Sequence, residues 1–66
     1  QNAQVESVLD HIPGIGPARR KALLLHFGDV EQIAKAEVAD LLEVPNMTIQ
    51  AAESVYAFFR QQVQQV

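Results

Sequence analysis

The stretch Ile12-Pro13-Gly14-Ile15-Gly16-Pro17, followed directly by Ala18-Arg19-Arg20-Lys21 and then Leu23-Leu24-Leu25, decides how this chain folds. Pro13 disfavours helical geometry at Ile12 and ends any helix arriving there. Gly14 and Gly16 permit a compact turn and close approach by another molecule. Pro17 suits the first position of a new helix, with Gly16 as its N-cap. The amides near Ile15, Gly16, Ala18 and Arg19 therefore lie at a helix start, where unsatisfied donors and the helix dipole favour an anion such as a backbone phosphate. Arg19, Arg20 and Lys21 occupy the first helical turn, which disfavours cations unless an anion lies nearby. Successive helical residues point about 100° apart, so the three cannot converge on one phosphate. Arg19 and Lys21 read as the solvent-facing contacts, and Arg20 as a residue whose stem packs partly beside Leu24. A plain chain reversal with a solvated basic triplet is the simpler reading of the turn alone.

The rest of the chain divides around this hairpin. A first helix is expected over about residues 5–11, with Val5, Val8 and Leu9 on one face. The second spans 17–27 and stops at Gly28, a good C-cap. Its apolar residues fall into two strips, Ala18, Ala22 and Leu25 against Leu23, Leu24 and Phe27, predicting a helix packed on two sides. Asp29 can cap a third helix running through about Lys35 and carrying Val30, Ile33 and Ala34. A fourth, over about 37–43, presents Val38, Leu41 and Leu42 and ends at Val44-Pro45. Thr48 can cap the last helix, from Ile49 to about Gln64. Ala52, Val55, Tyr56, Phe59 and Val63 share its apolar face, while Gln50, Glu53, Ala57, Arg60 and Gln64 fall opposite. No useful β alternation occurs, so the fold class is all-α with about five short helices.

The prolines expose an internal repeat. Ile12-Pro13-Gly14-Ile15-Gly16 aligns with Val44-Pro45-Asn46-Met47-Thr48 at an offset of 32, which also pairs Leu9 with Leu41, Leu23 with Val55 and Phe27 with Phe59. Each unit reads as helix, sharp hairpin, helix: the first over about 5–28, the second over about 37–64, joined by a helix over about 29–35 within one domain, 1–66. Two such units can share a core that neither could build alone. The second turn is chemically poorer. Asn46 can adopt left-handed geometry, but Thr48 replaces the second glycine and Glu53 stands where the first unit has Lys21. Asn46, Met47, Thr48 and Gln50 remain candidate contacts, beside a purely structural role for this half.

Composition bounds these readings. The 66 residues are 48% hydrophobic and 20% charged, with three Phe and one Tyr, which fits a small folded domain with an aliphatic core. Without cysteine, disulfides and thiolate metal sites are excluded. Neither a membrane span nor a signal peptide is visible, and an intracellular, cytoplasmic protein is the default. The chain begins at Gln1 without an initiating Met, which is expected of a piece of a longer protein. A net charge of −3 argues against a broad basic surface, yet three of the five basic residues are Arg19, Arg20 and Lys21 beside the glycine turn. His11 and His26 lack metal-ligand spacing and read as ordinary surface or boundary residues. Asp29 reads as a cap, and Glu37, Asp40 and Glu43 as a solvated edge. No catalytic triad, Walker-type loop or metal-holding acid pair is present, so no catalysis, metal or cofactor is expected.

The run from Ile12 through Lys21, Ala22-Leu23-Leu24 and His26-Phe27-Gly28 resembles the helix-hairpin-helix DNA-binding family. The resemblance extends over about residues 8–60, including Glu37-Val38-Ala39-Asp40-Leu41-Leu42-Glu43-Val44-Pro45. Within that family it is similar to the C-terminal tandem domains of the bacterial UvrC excision-repair nuclease subunits. The resemblance implies a pair of hairpins binding DNA backbone across the minor groove, without sequence preference, and favouring duplex that adjoins unpaired DNA, as at junctions and bubbles. It implies a non-catalytic part of a nuclease of nucleotide excision repair and the SOS response to DNA damage, with other nuclease domains and a damage-recognition complex as partners. Gly14, Ile15 and Gly16 become the principal contacts, supported by Ala18, Arg19, Arg20 and Lys21. His26 could then lie near DNA on the Arg19 face. The rival is a protein-association module, as in XPF-like nuclease subunits, for which a homo- or heterodimer through an exposed apolar strip around Phe58 or Val66 would speak. A third is the DNA-binding module of a ligase or glycosylase.

Overall fold

The computed structural model describes residues 8–64, with side chains as far as Gln61. A short 3-10 helix, Val8–His11, precedes the first turn. Four α-helices follow: α1 (Pro17–Phe27), α2 (Val30–Lys35), α3 (Val38–Leu41) and α4 (Ile49–Gln64). The all-α expectation is met, and the boundaries follow from local chemistry. Pro17 opens α1, and Gly28, at φ 99°, closes it by donating its amide to Leu24 O at 2.8 Å. Asp29 Oδ1 accepts from the Gln32 amide at 2.9 Å and caps α2. Thr48 Oγ1 accepts from the Ala51 amide at 3.1 Å and caps α4. Asp40 Oδ2 accepts from the Glu37 amide at 3.1 Å, steadying the start of α3.

The two helical pairs, the 3-10 helix with α1 and α3 with α4, each pack across their own turn, and α2 rests on both α1 and α4. Leu9, Ile12, Ile15 and Leu23 from the first unit form one core cluster with Leu41, Val44, Val55 and Phe59 from the second, and Ile33 of α2 belongs to it. Apart from the turn positions 13/45, 14/46 and 16/48, the residues paired by the offset of 32 are thus in the core or packed against it. Burying a Leu or Ile side chain stabilises by roughly 1.5–3 kcal/mol, and six large side chains here are fully buried. No buried side-chain polar atom among the described residues lacks a partner.

Three expectations require correction. The first helix is a 3-10 turn over Val8–His11 rather than an α-helix; Val5 and the rest of its predicted start lie outside the described residues. Helix α1 packs mainly through one strip: Leu23 is buried and Leu24 and Phe27 are half-buried, whereas in the other strip only Ala22 is half-buried against the core, Ala18 is exposed and Leu25 is 78% exposed. Period alone could not say which strip meets the core, and one thin layer of neighbouring helices covers mainly one. Helix α3 stops at Leu41, because the turn toward Pro45 begins at Leu42, which is exposed. On α4, Ala51 joins the predicted Ala52, Val55 and Phe59 as buried, Tyr56 is half-buried, and the Val63 and Gln64 side chains lie outside the described ones.

Candidate nucleic-acid interface

The two turns have the same backbone. Ile15 donates its amide to Ile12 O at 3.1 Å, and Met47 to Val44 O at 3.2 Å. Each bond spans a proline followed by a residue with positive φ, Gly14 at 85° and Asn46 at 67°. Proline at the second position and positive φ at the third define a type II turn. The entry matches too, with Ile12 donating to Leu9 O and Val44 to Leu41 O. So does the exit, where Arg20 donates to Gly16 O and Ala52 to Thr48 O. Asn46 is the one described residue other than glycine with positive φ. Its short polar side chain makes that conformation less costly than for most L-residues.

The chemistry at the helix starts differs. Gly16 caps α1 without a side chain, leaving the Ala18 and Arg19 amides without acceptors among the described hydrogen bonds, while Pro17 has none to offer. In α4 the Thr48 hydroxyl already takes the Ala51 amide. Gly16 has φ −95° and ψ −172°, which any residue can adopt. A Cβ built there meets nothing within 4 Å. Neither backbone conformation nor internal packing calls for glycine at this position. Gly14 differs, since its positive φ alone accounts for it.

The residues singled out from sequence separate into several roles. Ile15 is 6% exposed, and its side chain anchors the turn in the core. Met47 is half-buried against the same core. Gly14, Gly16, Ala18 and Lys21 are exposed, as are Asn46, Thr48 and Gln50. Lys21 has no ion-pair partner among the described residues. Arg20 Nη1 donates to both carboxylate oxygens of Asp10 at 2.9 Å, while the residue lines a shallow hollow with Pro17 and Leu24. This ion pair is one-third to one-half exposed, so it contributes only about 0–1 kcal/mol. Asp10 and Arg20 stand five residues either side of Ile15, and that symmetry is the signal by which sequence could have paired them. Arg19 is half-buried and directs its guanidinium to the backbone: Nη1 donates to Gly14 O at 2.8 Å and Nε to Asn46 O at 3.0 Å. It does not project freely into solvent as expected. An open cleft of about 260 Å³ lies between the turns, with Pro13, Gly14 and Arg19 on one side and Thr48, Gln50 and Ser54 on the other. The structure thereby brings predicted residues of both hairpins together and adds Ser54, which sequence reasoning missed.

Elsewhere the chemistry is sparse. Glu37 approaches Arg60 at 4.0 Å, and Arg60 also lies over the Tyr56 ring at 4.5 Å. No group of three or more His, Asp or Glu side chains among the described residues could hold a metal ion. His26 is exposed and packs edge-on against Phe27, with ring centroids 4.7 Å apart. No described helix is long and apolar enough to cross a membrane.

Paired turns of this geometry define a class, and residues 6–61 match the family model for the SAM-like helix-hairpin-helix tandem. The chain belongs to that family; helix-hairpin-helix domains generally bind DNA non-specifically. Among curated proteins it is similar to the UvrABC system protein C of Lachnospira eligens, 54% identical over 57 residues, which is 86% of this chain and 9% of the relative. The protein of the same name from Clostridioides difficile is 50% identical over 60 residues, covering 91% of this chain and 10% of the relative. That from Rhodopseudomonas palustris is 48% identical over 54 residues, or 82% and 8%. The chain thus spans about a tenth of the length of these relatives. No solved structure matches it.

Proposed function

We infer that this chain binds DNA through the sugar-phosphate backbone, without reading base sequence, and chiefly through its first hairpin. The observation that carries the reading is Gly16. It is a glycine without an internal reason, at the start of a helix whose next two N–H groups have no acceptor among the described residues. A phosphate oxygen approaching Gly16 would meet those donors and the positive end of the helix dipole. Lys21 adds a cation with no ion-pair partner in the described fold, whereas Arg20 would have to exchange Asp10 for phosphate. The second hairpin supplies Thr48, Gln50 and Ser54 as polar neighbours along the cleft, and Asn46 holds Arg19 beside it through its carbonyl.

The finer reading draws on kinship with the UvrABC system proteins. It is that residues 1–66 form one tandem domain, itself without catalytic activity, which prefers single-strand/double-strand junctions or bubbles and places a cytoplasmic excision nuclease on damaged DNA, alongside that nuclease's other domains and its damage-recognition complex. Titrating the purified chain against matched duplex, bubble and junction DNA at two salt concentrations tests both levels. Two to four phosphate contacts give a slope of log K against log salt of about −2 to −4. Binding that is salt-sensitive and stronger for the bubble or junction supports the reading; equal, negligible binding to all three removes it.

Protein association is the second reading. Leu25, exposed beside Ala22, His26 and Pro45, favours it. Phe58 does so less, being half-buried and edge-on to Phe59 at 5.1 Å; Val66 lies outside the described residues. A stable dimer by sedimentation, together with absent DNA binding, would select it.

A further inference from the structure

One guanidinium joins the two turns. Arg19 donates to Gly14 O at 2.8 Å and to Asn46 O, 27 residues from it in sequence, at 3.0 Å. Both acceptors belong to the positive-φ residues of the type II turns, and neither carbonyl accepts another described hydrogen bond. A cation in the first turn of a helix ordinarily weakens that helix. Here two carbonyl oxygens offset the penalty without any outside anion. The second unit cannot return the link, since its matching residue, Ala51, has no donor side chain and is 3% exposed. An uncovered carbonyl beside an amide that faces a phosphate would repel it, and a guanidinium across that oxygen removes the repulsion.

We propose that Arg19 is a positioning residue: it fixes the spacing of the two hairpins and screens their carbonyl edges, so that both turns meet one DNA backbone as a single preformed surface. This rests on the DNA-binding reading above. The planar fork of arginine matches two separated acceptors, and the point charge of lysine does not.

The test compares Arg19→Gln and Arg19→Lys with the unaltered chain, each checked for helix content by circular dichroism. Without DNA, the amide resonances of Ile15 and Met47, which follow the two carbonyls, shift together in Arg19→Gln. A shift confined to the first hairpin overturns the clamp. With junction DNA, both variants bind about tenfold more weakly because preorganisation is lost, while the salt slope holds its value. Recovery of affinity in Arg19→Lys, or a slope reduced by about 1 in Arg19→Gln, makes Arg19 an ordinary phosphate ligand and overturns the proposal. If the unaltered chain binds none of these DNAs, the binding reading fails and the screening role with it; the resonances still decide whether the clamp forms.

Discussion

The first hairpin and the second share a backbone and part company in chemistry. Their type II turns, entry bonds and exit bonds correspond at an offset of 32 residues, and Leu9, Ile12 and Leu23 are buried just as Leu41, Val44 and Val55 are. Yet Arg19-Arg20-Lys21 of the first faces Ala51-Ala52-Glu53 of the second, and uncapped Gly16 faces self-capping Thr48. Turn type and buried positions are enough to specify the shape. The cap and first helical turn set what that shape can bind. The first unit keeps donors available for an outside anion. The second takes one of its donors for its own cap and sinks two alanines into the core.

The most disruptive way to break the comparison is to remove a paired core residue. Leu23→Ala should cost about 2–5 kcal/mol, and Val55→Ala about 2 kcal/mol from two lost methyls and the cavity they leave. Because the units share one core, urea unfolding followed by amide signals from each hairpin should give coincident transitions in both variants. Separate transitions would show that the hairpins stand independently.

Gly16→Ala sharpens the functional contrast. Its backbone accommodates alanine, so stability should fall by no more than about 0.5–1 kcal/mol from the poorer N-cap. DNA affinity should nevertheless fall about tenfold, as for a lost interaction of roughly 1.4 kcal/mol. Unchanged affinity would mean that nothing approaches closely at that position. Glu53→Lys gives the second unit the charge that Lys21 gives the first. It should tighten binding a few-fold at low salt and steepen the salt slope by about 1; no change would place the start of α4 away from the phosphates. Asn46→Gly is the mildest. Glycine relieves the positive φ but adds freedom to the unfolded chain, so thermal unfolding should report a gain of no more than about 0.5 kcal/mol.

Sequence carried most of the fold because its decisive residues act locally. Pro17, Gly28, Asp29 and Thr48 each mark a boundary through a bond or constraint spanning a few residues, and the helices begin or end where those residues imply. The repeat was legible because paired prolines and apolar residues keep their offset. Leu25 was misread because its spacing on α1 is as regular as that of Leu23, and only the placement of α2 and α4 leaves it outside. The candidate interface was legible as a region and not as a set of contacts. Arg19 binds a backbone carbonyl 27 residues away, for which no side-chain pattern exists, and Arg20 turns to a carboxylate across the hairpin.

The burial of Ala51 and Ala52 makes exchange between the two halves one-directional. The Gly14-Ile15-Gly16 tripeptide could be written into positions 46–48, since the receiving turn already has the same hydrogen bonds. The arginines could not follow it: at 3% and 0% exposure, positions 51 and 52 would strand a guanidinium among apolar side chains, and unpaired charge in such surroundings is prohibitive. A descendant of this duplicated design can therefore regain the glycine turn and the Lys21 charge in its second copy by exposed substitutions, whereas a copy of the Arg19 clamp or of the Arg20 ion pair requires the core to be rebuilt first.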